Sequence, residues 1–456
     1  MFINRINEME RLTDALANES VRLIILYGRR RCGKSALLHQ VLPGHSVYFA
    51  ADLREKPLQI AALANQIGML IPGFERVLYP DWEVLLLALN RSLAKRTILC
   101  IDEFPYLVKN SPELPSVIQK VLDSNQGLSF ILILCGSAQQ MMQGIALDSS
   151  SPLYGRSDEI LRIKAMNVSC IKMYLQTAPV ATIEEFSVWG GVPRYWEIRK
   201  KSASLTQAIR HHILDQNGLL YDEPERLFAD EMRTSVQAFS VISLIATGSN
   251  RLSEIASRLG KPATQLTRLL GFLTDLGYIR REVPYGEHPR SSKRGIYKIN
   301  DPFLNFYYTF VIPHKSRLES GLAGAVWEDI RLGFNQYVSQ EWEEQCRRKV
   351  PFMEINGLRF LPASRWWGPG INRIPFEVDV VAESTDGSAV LVGEAKWSDH
   401  PELTAIDAVL KSNIQQLPMI ANKKVIRAIF LKSKSGSHYG DTLLFDAEDV
   451  CNENVS

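Results

Sequence analysis

Hydrophobic and polar positions change period repeatedly along the first third of the chain. In residues 2–16, Ile6, Met9, Leu12 and Leu16 recur at helical spacing, so an amphipathic helix is predicted, with Arg5 and Glu8 near its start. A continuous apolar run from Leu23 to Leu26 predicts a buried strand that breaks at Gly28, and a helical pattern resumes through Ala36, Leu37 and Leu38. Short β-rich runs at 46–50, 97–101 and 130–134 predict further strands, residues 58–70 and 82–93 read as helices, and one more short strand follows Arg156. Strands of this length alternating with helices predict an open parallel sheet with helices on both faces.

The pattern then becomes helical from about 167 to 229, broken by Gly190, Gly191 and Pro193, as in a helical lid. Residues 232–245, 252–259 and 262–276 read as three helices, the last opened by Pro262 with Leu266, Leu269, Leu270 and Leu273 inward. A strand starting at Gly277 and a return strand at 295–299 complete a winged helix. The aromatic run at 300–309 predicts a core segment, and helices continue to about Trp327. From 332 onward a helix at 336–347 precedes two strands, 373–381 and 390–397, joined by a turn at 385–388. The predicted division is therefore 1–166, 167–229, 230–300, 301–331 and 332–456.

Composition changes this picture little. A chain of 456 residues with a net charge of +2 is globular and nearly neutral, so any nucleic-acid surface must be local. Six scattered cysteines without a C-x-x-C pair predict reduced thiols, a cytoplasmic protein and no zinc site. No apolar run approaches membrane-spanning length and no signal-peptide pattern opens the chain, so no membrane partner is expected.

Chemistry concentrates first at the end of the first strand. Gly28 and Gly33-Lys34-Ser35 form G-x-x-x-x-G-K-S between a strand and a helix, the context a phosphate-binding loop requires. The glycines let successive backbone N–H groups turn toward phosphate oxygens, and the helix that follows adds its positive end. Arg29, Arg30, Arg31, Cys32 and Ala36 complete the loop around the nucleotide. Lys34 would reach the β- and γ-phosphates and Ser35 would ligate Mg²⁺. Asp102 and Glu103 end the strand at 97–101, where open sheets bind ligands. Asp102 would hold Mg²⁺ through water, and Glu103 would polarise the attacking water. Ser137, at the end of the strand at 130–134, is a candidate γ-phosphate sensor. Arg156 reads equally as a finger on the γ-phosphate, in cis or from a neighbouring copy, or as a surface arginine in a salt bridge.

Two further constellations lie downstream. If the winged helix reads DNA, Thr264, Gln265 and Arg268 would face the major groove, and Arg280, Arg281, Arg290, Lys293 and Arg294 would meet phosphates from the wing. The other reading is a packing module that relays nucleotide state. In the last segment Asp379 sits on one strand and Glu394-x-Lys396 on the next, with Glu394 and Lys396 on one side. Asp379 and Glu394 would hold Mg²⁺ through hard oxygen ligands, with Glu343, or else Glu344, completing the set. Lys396 would orient or deprotonate water for phosphodiester cleavage.

The runs FINRINEMERL, GRRRCGKSALL, ILCIDEFPYL, LCGSAQQM, LYGRSDEILRI and GGVPRYW, in this order, resemble the archaeal-type ATPases of the STAND branch of AAA-related P-loop NTPases. The resemblance implies ATP and Mg²⁺ as cofactors, roles for Lys34, Ser35, Asp102 and Glu103 as above, and nucleotide contact around Pro193. Ala138 departs from the second hydroxyl often found beside the sensor. The winged-helix segment, NDPFLNFYYTF, RWWG at 365–368 and the acid–lysine hairpin are similar to DUF234, often fused behind such ATPases, and to the PD-(D/E)xK nucleases. The fold class expected is thus an α/β P-loop NTPase with a helical lid, a winged-helix domain and a C-terminal α/β restriction-endonuclease-like domain. The expected function is an ATPase coupled to a Mg²⁺-dependent nuclease with DNA as partner, and a homo-oligomer is compatible with it. The competing readings are an ATP-dependent regulatory switch with an inactive nuclease fold and, with less support, a DNA translocase.

Overall fold

The computed structural model describes residues 2–124, 127–231, 235–418, 420 and 423–452. They form two compact units, residues 1–165 and 166–456. The first is built on five parallel strands, β1 (Leu23–Gly28), β2 (Val47–Ala50), β3 (Thr97–Asp102), β4 (Phe130–Gly136) and β5 (Glu159–Ile163), in the order β2-β3-β4-β1-β5. Every residue of β1, β3 and β4 is buried, which is why these strands read as unbroken apolar runs and not as alternation. Leu63 and Ile67 on one helix and Leu85 and Leu89 on another pack with Leu99 and Leu132 of the sheet, each contributing about 2 kcal/mol of burial. The helix Trp82–Ser92 starts where Asp81 accepts the Val84 N–H at 2.9 Å.

The second unit opens with the helices Val168–Leu175, Pro179–Trp189 and Pro193–Arg199. The Gly190-Gly191 pair between the last two has a steric cause. A Cβ on Gly191 would lie 2.1 Å from the Met166 carbonyl oxygen, and Gly190 takes φ +58°. The buried pair Arg199–Glu185, with the Trp189 indole N–H also on Glu185, ties these helices together.

The helices Ser235–Ala246, Leu252–Leu259 and Ala263–Asp275 are followed by an antiparallel pair, β6 (Ile279–Glu282) and β7 (Ile296–Ile299), which is the winged helix. Positions 232–234, expected to begin its first helix, lie outside the described residues. Phe303, Phe306, Tyr307 and Tyr308 are fully buried, and the chain through Tyr307–Val311 is a π-helical turn.

Beyond it the reading of the sequence needs correction. One helix, Ala323–Lys349, runs 27 residues without interruption through the boundary expected at 331–332. Packing of Val326, Ile330, Tyr337, Val338 and Trp342 carries the helix through this point.

A short pair, β8 (Glu354–Ile355) and β9 (Leu358–Arg359), leads into a six-stranded sheet. Its strands are β10 (Ser364–Pro369), β11 (Pro375–Glu383), β12 (Ala389–Lys396), β13 (Lys424–Leu431), β14 (His438–Tyr439) and β15 (Thr442–Phe445), in the order β10-β11-β12-β13-β15-β14. The first three are antiparallel, and β13 runs parallel to β12 after the crossover helix Leu403–Gln416.

Gly191→Ala is expected to destabilise the second unit by about 2 kcal/mol, because the clash is with backbone and cannot be relieved by a rotamer. A lowered denaturant midpoint for tryptophan fluorescence, with nucleotide binding retained, would be the measured result.

Candidate nucleotide and acid–lysine sites

The first site forms where β1, β3 and β4 end together. Gly28 is required because a Cβ there would sit 2.2 Å from the Ile163 carbonyl oxygen, and Gly33 takes φ +88° at the mouth of the helix Lys34–Val41. The Lys34 ammonium lies inside the loop, donating to the Gly28 carbonyl at 3.0 Å and the Arg29 carbonyl at 3.1 Å. Arg31 adopts φ +67°, and Arg30 donates to the Tyr106 hydroxyl at 3.2 Å. Cys32 is buried, and its carbonyl accepts a guanidinium N–H of Arg5 at 3.1 Å. Ala36 lies on the exposed side of the first helical turn.

Asp102 closes the site. Its Oδ2 accepts the Ser35 and Tyr48 hydroxyls, each at 2.5 Å, and its Oδ1 accepts the Glu103 N–H at 2.9 Å. Burial pushes this carboxyl up, but hydrogen bonds from Cys135, Ser35, Tyr48 and the Glu103 amide outweigh it, so the pKa falls below the ordinary value. The same contact, with burial first, drives the Tyr48 phenol up. Asp102 is thus favoured as the anion beside Ser35.

Glu103 takes φ +53°, a left-handed conformation costing roughly 1 kcal/mol for a residue with a Cβ. That turn brings its carboxylate to the Ser137 hydroxyl, which donates at 2.8 Å to one oxygen and 3.0 Å to the other. Ser137 thus sits on Glu103, a pairing the sequence did not reveal.

Arg156 is placed elsewhere. It precedes β5, whose first residue pairs Ile24, whereas Gly28 pairs Ile163 at the far end. A strand of this length separates it from the phosphate loop by about 15 Å. Its guanidinium grips Asp123, with the closest approach at 2.8 Å. The cis finger expectation is therefore corrected to the salt-bridge alternative. Pro193 lies in the second unit, where it opens the helix Pro193–Arg199.

The second site lies on β11 and β12. Asp379 Oδ2 accepts the Ala395 N–H at 3.0 Å and faces the Lys396 ammonium at 3.5 Å, while Glu394 Oε2 takes the same ammonium at 2.8 Å. Burial and the charge of Asp379 push both Glu394 and Glu343 up to about 7. Burial lowers the Lys396 ammonium, but Asp379 and Glu394 more than reverse it. Asn413, from the crossover helix, donates to Glu394 at 3.5 Å. Glu344, the weaker sequence candidate, points away into ion pairs with Arg280, Arg347 and Arg348. The oxygen donors suit a hard divalent cation. Among the described residues, however, no three His, Cys, Asp or Glu side chains already stand as a metal cage.

The wing also requires correction. Arg280 is held by Glu282 at 2.8 Å and Glu344 at 3.1 Å, and Arg281 spends its N–H groups on the carbonyls of Pro289 and Ser292. Arg294 bonds Glu287 and, at 2.9 Å, the Trp367 carbonyl on β10, while Tyr285 N–H reaches the Arg365 carbonyl at 2.9 Å. The wing is therefore laid against the edge strand β10, and of the five basic residues named for phosphate contact Arg290 and Lys293 remain exposed without such a bond. Thr264, Gln265 and Arg268 on the helix Ala263–Asp275 are exposed. From Arg280 the ion pairs continue through Glu344 to Arg347, which donates to the Asp379 carbonyl at 2.9 Å. Opposite charges at 280, 282, 344 and 347 were present in the sequence, but nothing in their spacing indicates that they meet.

A parallel sheet ending in a glycine-lysine-serine loop and a paired acid defines a Walker-type P-loop ATPase fold. A Walker-type ATPase of Pyrococcus abyssi has this fold too, at a TM-score of 0.52 and 22% identity over 67% of this chain and 96% of that one. Residues 2–186 match the model of an ATPase domain found predominantly in Archaea, 236–283 the IclR helix-turn-helix domain, and 307–409 DUF234, a family of archaeal and bacterial proteins of unknown function. The chain thus carries an archaeal-type ATPase domain, an IclR-type helix-turn-helix and a DUF234 domain. An uncharacterised protein of Methanocaldococcus jannaschii is 29% identical over 98% of this chain and its own full length. Among the described residues no helix is long and apolar enough to cross a membrane.

The raised carboxyls of the second site set a pH dependence. The folded chain keeps their protons to about 7, while the unfolded chain releases them near about 4.3. Between those values the folded state binds more protons, so this cluster makes stability fall as pH rises. Glu394→Gln is expected to flatten that fall in metal-free protein, read from chemical denaturation at pH 5 and pH 8.

Proposed function

We propose that the protein binds and hydrolyses ATP in its first unit and that this cycle governs a metal-dependent phosphodiesterase acting on DNA. The observation that carries the ATPase reading is the contact of Ser35 with a carboxylate held anionic, Asp102, beside Glu103 and a loop centred on Lys34. Lys34 would bind the β- and γ-phosphates once released from the loop carbonyls. Ser35 and Asp102 would hold Mg²⁺, which supplies charge neutralisation at the phosphates. Glu103 would orient the attacking water when its carboxylate leaves Ser137, leaving that hydroxyl free for the γ-phosphate.

The nuclease reading is supported by Asp379 and Glu394 on Lys396, with Glu343, ion-paired to Arg347 at 4.0 Å, close enough to feel the charge of Asp379. The mutual repulsion that raises Glu343 and Glu394 beside Asp379 favours a divalent ion, which would supply Lewis-acid activation of the scissile phosphate. Lys396 would hand water to the phosphorus and steady the developing charge. DNA would reach the protein through the exposed face of the helix Ala263–Asp275, with Thr264, Gln265 and Arg268 at the groove. The regulatory-switch alternative keeps one specific support, the absence among the described residues of a ready three-ligand cage.

Lys34→Ala is expected to lose nucleotide binding in a fluorescent-ATP titration, whereas Glu103→Gln keeps binding and loses turnover by at least about a hundredfold. Normal turnover in Glu103→Gln would remove that role.

The second test is cleavage of plasmid and branched DNA with Mg²⁺ or Mn²⁺, with and without ATP. Cutting by the wild type that Asp379→Ala and Lys396→Ala both lose is the expected result. Intact ATPase activity with no cutting would favour the switch.

A further inference from the structure

The second unit contains a cleft of about 370 Å³ that none of the chemistry above uses. Its walls come from the turn at Gly248 and Asn250, the wing strands at Arg280 and Lys298, the π-helical segment at Thr309 and Phe310, and the long helix from Gly333 to Glu341. Clefts of this size at junctions of folded elements are where small ligands bind. π-helical turns are rare and recur at functional positions.

Charges of both signs face this cleft, Arg280 and Lys298 from the wing strands and Glu341 from the long helix. Among the described residues, the nearest acid to Lys298 is Glu282 at 3.8 Å, and Glu282 is already shared with Arg280 and Arg365. The Lys298 side chain is only 25% exposed, so its charge is poorly hydrated as well as poorly paired. On the opposite wall Glu341 accepts the Gln345 amide at 2.6 Å and, among the described residues, forms no ion pair. Gln336 and Gln340 offer further amides at the open side, and the Phe310 and Tyr337 rings, in edge contact at 5.2 Å, form an apolar flank. The Tyr337 ring is fixed, because its hydroxyl donates to the Ser187 and Pro302 carbonyls.

We infer that this cleft binds a nucleoside monophosphate whose base carries an exocyclic amine, with the phosphate on Lys298 and the amine on Glu341. The volume suits a nucleotide better than an amino acid, and the aromatic flank gives the base an apolar surface. Arg280 stands on the same wall and is bonded to Glu344, so an occupant would sit beside the ion pairs that lead to Arg347 and the Asp379 carbonyl. This inference is independent of whether the acid–lysine site cuts DNA.

The test uses the full chain carrying Lys34→Ala, so that the phosphate loop does not compete. AMP, GMP, CMP, UMP and ribose 5-phosphate are titrated in separate calorimetric runs. Saturable binding of at least one amine-bearing nucleotide is expected, with UMP and ribose 5-phosphate weaker by about tenfold or more. Lys298→Met and Glu341→Gln should each weaken it by about tenfold. Gln336→Glu, an exposed change that leaves the core untouched, should weaken it by charge repulsion even if the other two variants fold poorly. No saturable binding, binding unchanged by Gln336→Glu, or equal affinity for UMP would overturn the assignment.

Discussion

The contact on which the first unit's chemistry depends is the carboxylate of Asp102 shared between the Ser35 and Tyr48 hydroxyls. It links the helix after the phosphate loop to two neighbouring strands. Without it a buried acid at a strand end would carry an uncompensated desolvation cost. The parallel order of the sheet makes the contact available, because β1 and β3 flank β4 and all three end on the same side. Arg5 adds a second tie, from the N-terminal segment to the Cys32 carbonyl in the loop and to the Lys164 carbonyl beyond β5. Both ties place polar groups where apolar packing alone could not orient them.

In the second unit the corresponding constraint is electrostatic and extended. Arg280, Glu282, Glu344, Arg347 and Arg365 come from the wing, the long helix and β10 and are linked by ion pairs, although Glu282 Oε2 and Arg365 Nε are buried without a hydrogen bond. Buried charges of this kind are costly singly and tolerable only as a connected set. Their cost explains why the wing is laid on the edge strand, with its arginines turned inward. The same arrangement covers an edge that would otherwise present unpaired backbone. It leaves Thr264, Gln265 and Arg268 on the third helix of the winged helix exposed.

Several features were legible because they are local. The strand–loop–helix of residues 23–41, the paired acids after β3 and the acid–lysine hairpin each follow from short-range spacing, and the structure brings their residues into contact within each group. Others were not. The helix through 331–332 was not legible because the buried face that sustains it is set by packing against distant elements. Tyr48 and Asn413 carry no motif, and only strand order and the crossover helix bring them to the sites. Arg156 read equally as a finger or a salt-bridge arginine, and the strand pairing, which sets it at the opposite end of β5 from Gly28, separates the two.

The sequence by itself determined the parallel sheet, the phosphate-binding loop, the winged helix and the identity of the charged residues, because periodicity, glycine placement and strand-end acids are encoded within a few residues of each other. Only the tertiary structure decided which charges meet. Whether an arginine faces solvent, a phosphate or a buried glutamate depends on elements tens of residues apart, and on the cost of leaving any of those charges unpaired away from water.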